Sequence, residues 1–261
     1  MHVLIRPWGM IHYRDDGPEN APAVVFANSL GTDLRLWDAV LPLLPKGLRF
    51  IRYDKRGHGL SDTGGDANIA ALAEDAAALI EVLGLRRVIF VGLSIGGLIG
   101  QALAANRPDL IKALVLSNTA ARIGTPDSWQ TRIDAVLSHG LAHIADAVME
   151  RWFTPGFRAT PALALWRNML IRTPVQGYAA ACAAIAAADF TITTAALRLP
   201  ALVIAGAADG ATPPDLVQAT AALIRGGTYH CIPGAGHLPC VEAPNVYASV
   251  LSPFLKVHAH D

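Results

Sequence analysis

The sequence has little cysteine, no net charge and no long apolar run, and each shortage closes off a class of function. Its three cysteines, Cys182, Cys231 and Cys240, are scattered through 261 residues. An odd, scattered set without Cys-X-X-Cys makes neither a disulfide framework nor a zinc site, and fits free thiols in a reducing compartment. Twenty-one Lys and Arg balance 21 Asp and Glu. No basic stripe is visible, so nucleic acid and anionic membrane are poor partners. No apolar stretch reaches about 18 residues, which predicts no transmembrane span. The opening Met1-His2-Val3-Leu4-Ile5-Arg6-Pro7 lacks a basic segment followed by a long apolar one, so we read no signal peptide. Together these features predict a cytoplasmic protein. Nothing in the pattern selects between a monomer and a homo-oligomer.

What is plentiful is apolar surface to bury. The chain is 52% hydrophobic and 16% charged, which fits one domain, or one domain carrying an insertion. Residues 3–6 and 10–13 read as a hairpin turning at Pro7-Trp8-Gly9. Further strands are expected at 23–26, 48–53, 88–93, 111–116, 201–206 and 228–232. Helices are expected near 34–40, 68–84, 98–106 and 244–255. Strands alternating with helices predict an α/β fold, a mostly parallel sheet with right-handed crossovers. From Ile123 to Leu197 the pattern turns wholly helical, punctuated by Pro126, Pro155, Pro161 and Pro174. That block reads as an insertion over the C-terminal edge of the sheet, where such folds bind ligands. The division is then a core of 1–122 and 198–261 with a helical cap of 123–197.

The chain is organised around Val88-Ile89-Phe90-Val91-Gly92-Leu93-Ser94-Ile95-Gly96-Gly97. Gly92, Ser94 and Gly96 fit G-x-S-x-G between a strand and a helix, the setting of a nucleophile elbow. The turn forces the serine into an unfavourable backbone region, so residues two positions away must be small. The Ile95 N–H then lies unpaired at a helix N-terminus, where negative charge can collect. The plainer alternative is a tight turn that happens to contain serine.

A serine hydroxyl needs a base, and the base an orienting acid. On this architecture the chain order is Ser, then Asp or Glu, then His. Asp209 ends the strand at 201–206 plus a short loop, although it also suits an Asx-turn before Gly210. His237 lies in the small-residue loop Pro233-Gly234-Ala235-Gly236, although a surface histidine would also fit. A second oxyanion donor should come from the loop after the third strand, and Leu30 in Asn28-Ser29-Leu30-Gly31 is the natural one. Weaker competitors are His230 inside a strand, and His258 and His260 in a polar tail. His139 and His143 are four apart on one expected helix and could share a face for metal, but no third ligand is apparent. Asn118 sits where an alternative acid could lie, but carries an amide. Glu242 reads as a helix N-terminal charge. His58 reads as a structural loop residue.

These residues carry a resemblance. The chain resembles an α/β-hydrolase with a helical cap, through Asn28-Ser29-Leu30-Gly31-Thr32, Tyr53-Asp54-Lys55-Arg56-Gly57-His58-Gly59-Leu60-Ser61, the elbow, Asp209 with Thr212-Pro213-Pro214, and Gly234-Ala235-Gly236-His237. More closely it resembles the 3-oxoadipate enol-lactonases of β-ketoadipate aromatic catabolism. The cap segments carry that likeness: Ile123-Gly124-Thr125-Pro126-Asp127-Ser128-Trp129-Gln130-Thr131-Arg132-Ile133, Arg151-Trp152-Phe153-Thr154-Pro155-Gly156-Phe157, and Thr173-Pro174 with Gly177-Tyr178. One departure is Gly210, where proline is expected; it should loosen the turn. The resemblance implies an eight-stranded sheet, a serine lactonase with Ser94, Asp209 and His237 as its triad, and no metal or organic cofactor. It also implies a small lactone substrate with a free carboxylate. That carboxylate would need a cation. Trp129 and Arg132, three apart, would share a helix face, with Arg122, Arg151 and Arg172 as rivals. The alternatives are a carboxylesterase, a C–C bond hydrolase or a cofactor-free perhydrolase on the same fold, or a silent hydrolase fold acting as a small-molecule receptor.

Overall fold

The computed structural model describes residues 1–65 and 67–259; His260, read as tail, lies outside them. A hairpin of β1 (His2–Arg6) and β2 (Gly9–Asp16) opens the chain. Then follow β3 (Ala23–Ala27), β4 (Arg49–Tyr53), α1 (Ile69–Val82), β5 (Val88–Leu93), α2 (Ile95–Asn106) and β6 (Ile111–Ser117). Six helices come next: α3 (Pro126–His139), α4 (Leu141–Trp152), α5 (Pro155–Arg158), α6 (Leu163–Ile171), α7 (Val175–Ala186) and α8 (Thr191–Ala196). The chain closes with β7 (Ala201–Gly206), α9 (Pro214–Leu223), β8 (Thr228–Ile232), α10 (Pro239–Glu242) and α11 (Pro244–Ala259). α11 runs one turn past its expected end, so His258 is helical and packs edge-on to Phe254. Residues 34–40, expected as a short helix, form only a 3₁₀ turn, Leu34–Trp37.

The eight strands form one sheet in the order β1-β2-β4-β3-β5-β6-β7-β8. β1, β2 and β4 pair antiparallel; every later pairing is parallel. β3, β5 and β7 are buried at every residue. Strands with both faces covered by helices need apolar residues throughout, which explains runs such as Ala-Val-Val-Phe-Ala instead of alternation. The strand order reverses direction at β3, which lies between β4 and β5. Such a switch point opens a crevice at the C-terminal ends of the strands.

A single residue, Ser94, links β5 to α2. Ser94 has φ +58°, a region that costs about 1–3 kcal/mol for a non-glycine residue. A Cβ on Gly92 would lie 2.1 Å from Gly96 O, and one on Gly96 would lie 2.2 Å from Ala27 O. Both glycines are therefore required by close backbone approach, as the motif's spacing predicts. Gly96→Ala is expected to lower stability by about 1–3 kcal/mol or more, the range for overpacking. A thermal melt followed by circular dichroism checks it.

Candidate active site

The ends of β3, β5, β7 and β8 bring the site together. Ser94 caps α2 and is 7% exposed. Its amide donates to Ser117 O at 3.0 Å, and its carbonyl accepts from Thr119 Oγ1 at 2.7 Å. The turn is thus pinned on both sides while the hydroxyl stays free of any partner among the described residues.

Asp209 follows β7 and His237 follows β8, and their loops converge. His237 Nδ1 donates to Asp209 Oδ2 at 2.8 Å. An ionised carboxylate only accepts, so Nδ1 carries the proton and Nε2 presents a lone pair. Nε2 lies 3.4 Å from Ser29 Oγ. In free enzymes the hydrogen bonds of an active site are often long and tighten only when substrate binds.

The Asp209 carboxylate is unusually well held. Oδ1 accepts from the amides of Ala211 at 2.7 Å and Thr212 at 3.0 Å. Oδ2 accepts from Thr212 Oγ1 at 2.7 Å and Asn118 Nδ2 at 2.9 Å. Burial pulls its pKa upward. The charge and hydrogen bond of His237, with Asn118 and Thr212, outweigh burial and hold it below the ordinary carboxylate value. Asn118, set aside as an amide in an acid's place, is therefore a support for the acid. Its φ of +46° aims the side chain there.

Two amides are left over for an oxyanion. In the loop after β3, Gly31 N–H donates to His58 Nε2 at 3.0 Å and Thr32 N–H to Ser29 O at 3.3 Å. Leu30 N–H has no acceptor among the described residues. Ile95 is the first residue of α2, so its amide has no acceptor within the helix. His58 is fully buried, and its Nδ1 donates to Arg56 O at 2.9 Å. Burial, then the charge of Lys55, push its pKa well down, so it stays neutral. It braces the loop, as its sequence position suggested.

A cavity of about 120 Å³ joins these groups to helices α3, α4 and α7. Its lining includes Ser94, Leu30, His237, Trp129, Arg132 and Arg151. Trp129 Nε1 donates to Ile123 O at 2.6 Å, and the Arg132 guanidinium lies 5.2 Å from the Trp129 ring centroid. Neither Arg132 nor Arg151 has a carboxylate partner among the described residues. Arg151 is exposed along much of its length. Burial of its charged end, and Arg132 nearby, hold its pKa below the usual arginine value. Of the rivals named from sequence, Arg151 joins Arg132 at the cavity. Arg122 instead lies 3.8 Å from Asp189, and Arg172 lines a different cavity.

Glu242 lies in the first turn of α10, as the sequence suggested, and its carboxylate also accepts from the Gly236 amide at 2.8 Å and the Thr154 amide at 3.0 Å. Two sequence expectations change here. Gly210 does not loosen its turn: its N–H, which proline lacks, donates to Arg151 O at 3.2 Å. His139 and His143 do not share a helix, because Gly140 at φ +76° separates α3 from α4, although their rings lie 4.8 Å apart. Among the described residues no group of three His, Cys, Asp or Glu is placed to hold a metal. Cys182 and Cys240 are buried, Cys231 is exposed, and all three are free. No helix among them is long and apolar enough to cross a membrane.

Comparison with known proteins agrees with this architecture. Residues 22–244 match the family model described as alpha/beta hydrolase fold. 3-Oxoadipate enol-lactonase 1 of Acinetobacter baylyi is 35% identical over 243 residues, 92% of this chain and 91% of that protein. The enol-lactonase structure from Burkholderia xenovorans superposes with a TM-score of 0.92 at 39% identity, covering 96% of this chain and 100% of that one. A thermophilic esterase from Thermogutta terrifontis, solved with malate bound, superposes at 0.90 with 30% identity, covering 96% and 94%. The pinned elbow, the sheet order and these relatives agree: the chain belongs to the alpha/beta hydrolase family, as a hydrolase related to the enol-lactonases.

Proposed function

We propose that this protein is a serine lactonase that hydrolyses 3-oxoadipate enol-lactone to 3-oxoadipate in aromatic catabolism, in the cytoplasm. The observation that carries the substrate class is the pair Arg132 and Arg151. Two guanidinium groups line one small cavity with Ser94 and have no carboxylate of their own among the described residues. Such a site repels itself until an anion enters, and a carboxylated lactone supplies one. Relatives named enol-lactonases support the same reading. We further propose that residues 123–197 act as a cap over the core.

His237 Nε2 takes the Ser94 proton as Oγ attacks the lactone carbonyl. The Leu30 and Ile95 amides hold the oxyanion that forms. The ring C–O bond then breaks, and the enol oxygen leaves with the electron pair. His237 returns the proton, and the enol becomes a ketone. Water, giving a proton to His237, attacks the acyl-enzyme carbonyl; the bond from Oγ to the acyl carbon breaks, Ser94 Oγ takes the proton from His237, and the acid leaves as a carboxylate. The net change is lactone plus water to give 3-oxoadipate, and the steps call on no metal or organic cofactor.

Arg132→Ala and Arg151→Ala test the reading. Each is expected to lower kcat/KM for the charged lactone by about 10–150-fold, the equivalent of about 1.5–3 kcal/mol for a charge-assisted hydrogen bond. Turnover of a neutral aryl acetate should change little. Trp129→Ala should raise KM for both substrates by removing apolar wall. A wild-type enzyme with no preference for the charged lactone over the neutral ester would replace the lactonase reading with the esterase one.

A further inference from the structure

One buried charge takes no part in the steps above. Lys55, two residues beyond β4, is 3% exposed. Its Nζ donates to Ser29 O at 2.6 Å and to Thr32 O at 3.3 Å. No carboxylate among the described residues lies within ion-pair distance of it. Ser29 O belongs to the same peptide group as the Leu30 N–H.

We infer that Lys55 is a positioning residue that strengthens the oxyanion donor, its ammonium drawing electron density through the Ser29–Leu30 peptide away from the Leu30 N–H. The inference rests on the oxyanion role proposed for Leu30. Ser29 O also accepts from Thr32 N at 3.3 Å and Thr32 Oγ1 at 2.9 Å. Donors on a carbonyl make the N–H at the other end of its peptide a better donor, since hydrogen-bonded chains polarise one another. Thr32 donates to that carbonyl through both its amide and its hydroxyl, so Ser29 O keeps partners without the ammonium. A buried ammonium is costly unless its charge is used. Lys55 meets two carbonyls, and the N–H groups at the other ends of their peptides are those of Leu30 and Asp33; of these two, Leu30 is the one that lines the cavity with Ser94.

The charge is also conditional. Burial lowers the Lys55 pKa to about 7, against the pull of Asp54 and Asp33. The remaining titratable neighbour, His58, is neutral. Lys55 is therefore charged below about pH 7 and loses its charge as pH rises through that value. Lys55 sets an alkaline limb on kcat.

The test measures kcat and KM from about pH 6 to pH 9 for the wild type, Lys55→Met and Lys55→Arg, with folding checked by circular dichroism. Removal of a whole oxyanion donor costs about 10²–10³ in kcat; loss of its polarisation should cost about tenfold, with KM unchanged. Lys55→Met should lose that factor and the alkaline limb together. Lys55→Arg, whose guanidinium does not titrate in this range, should recover kcat and keep it at high pH. An alkaline limb that persists in a folded Lys55→Met, or a Lys55→Met with wild-type kcat, overturns the inference. If Lys55→Met does not fold, a wild type without an alkaline limb in kcat overturns it instead. Failure of the serine-lactonase reading looks different: Ser94→Ala would then stay active, or the wild type would show no preference for the charged lactone, whatever Lys55 does.

Discussion

Ser94→Ala should lower kcat by about 10⁴–10⁶ and leave the fold intact, because it deletes the one atom proposed to form the acyl-enzyme. Alanine keeps a Cβ, so it inherits the backbone strain at φ +58° and adds no clash. The oxygen removed has no hydrogen-bond partner among the described residues, so no buried group is orphaned. Stability should therefore stay within about 1 kcal/mol of wild type, as for substitutions that break no network. A serine-directed phosphonate should label Ser94 in wild type and nothing in the variant. His237→Ala should be as severe, because nucleophile and base act as a unit. Label found on another residue, or near-normal turnover, would remove Ser94 from its role.

Asp209→Asn should cost about 10⁴ in kcat, the loss expected when an imidazole is held in the wrong tautomer. The reason is visible in the donors that surround the carboxylate. Asn118 Nδ2, Thr212 Oγ1 and His237 Nδ1 all point at Oδ2, and two amides point at Oδ1. An asparagine brings one acceptor and one donor into a ring of five donors. If its NH2 faces His237, Nδ1 must accept and Nε2 must carry the proton, so Nε2 cannot take one from Ser94. Stability should also suffer, unlike at Ser94. The depressed pKa of Asp209 fixes the sign of its pH dependence. Its contribution to stability is present above the ordinary carboxyl pKa and is lost as pH falls through the lower folded value. An Asp209→Asn enzyme within tenfold of wild type would move the acid elsewhere.

The strand–turn–helix around Ser94 was legible because local sterics dictate it: the glycine spacing follows from one strained residue. β7 and β8 were legible to the residue, being short apolar or β-branched runs between turn formers. The order of Ser94, Asp209 and His237 along the chain was legible once the fold class was assigned. What stayed hidden depends on contacts distant in sequence. Asn118 supports a carboxylate 91 residues away. Glu242 reaches back 88 residues to Thr154. Arg151 and Arg132 share a cavity although they lie on different helices. Periodicity gives the face of a helix but not what a second helix brings opposite it. Lys55 drew no reading of its own, since burial and the carbonyls it meets do not show in its neighbours.

The bonds at the end of α4 bear on how this scaffold can be recombined. Arg151 O accepts from Gly210 N and Trp152 O from His237 N, so successive carbonyls at the end of α4 hold the loops of the candidate acid and base. A Cβ on Gly236 would lie 2.3 Å from Trp152 O, so the approach leaves no slack. The block α3 to α8 is therefore not an interchangeable module, even though helices alone lie between β6 and β7. A chimaera that takes α3 to α8 from a relative inherits its substrate pocket, but it also replaces half of the joint that sets the imidazole. Such grafts should keep activity when the crossover leaves residues 149–154 of this chain in place, and lose it when the junction falls within them.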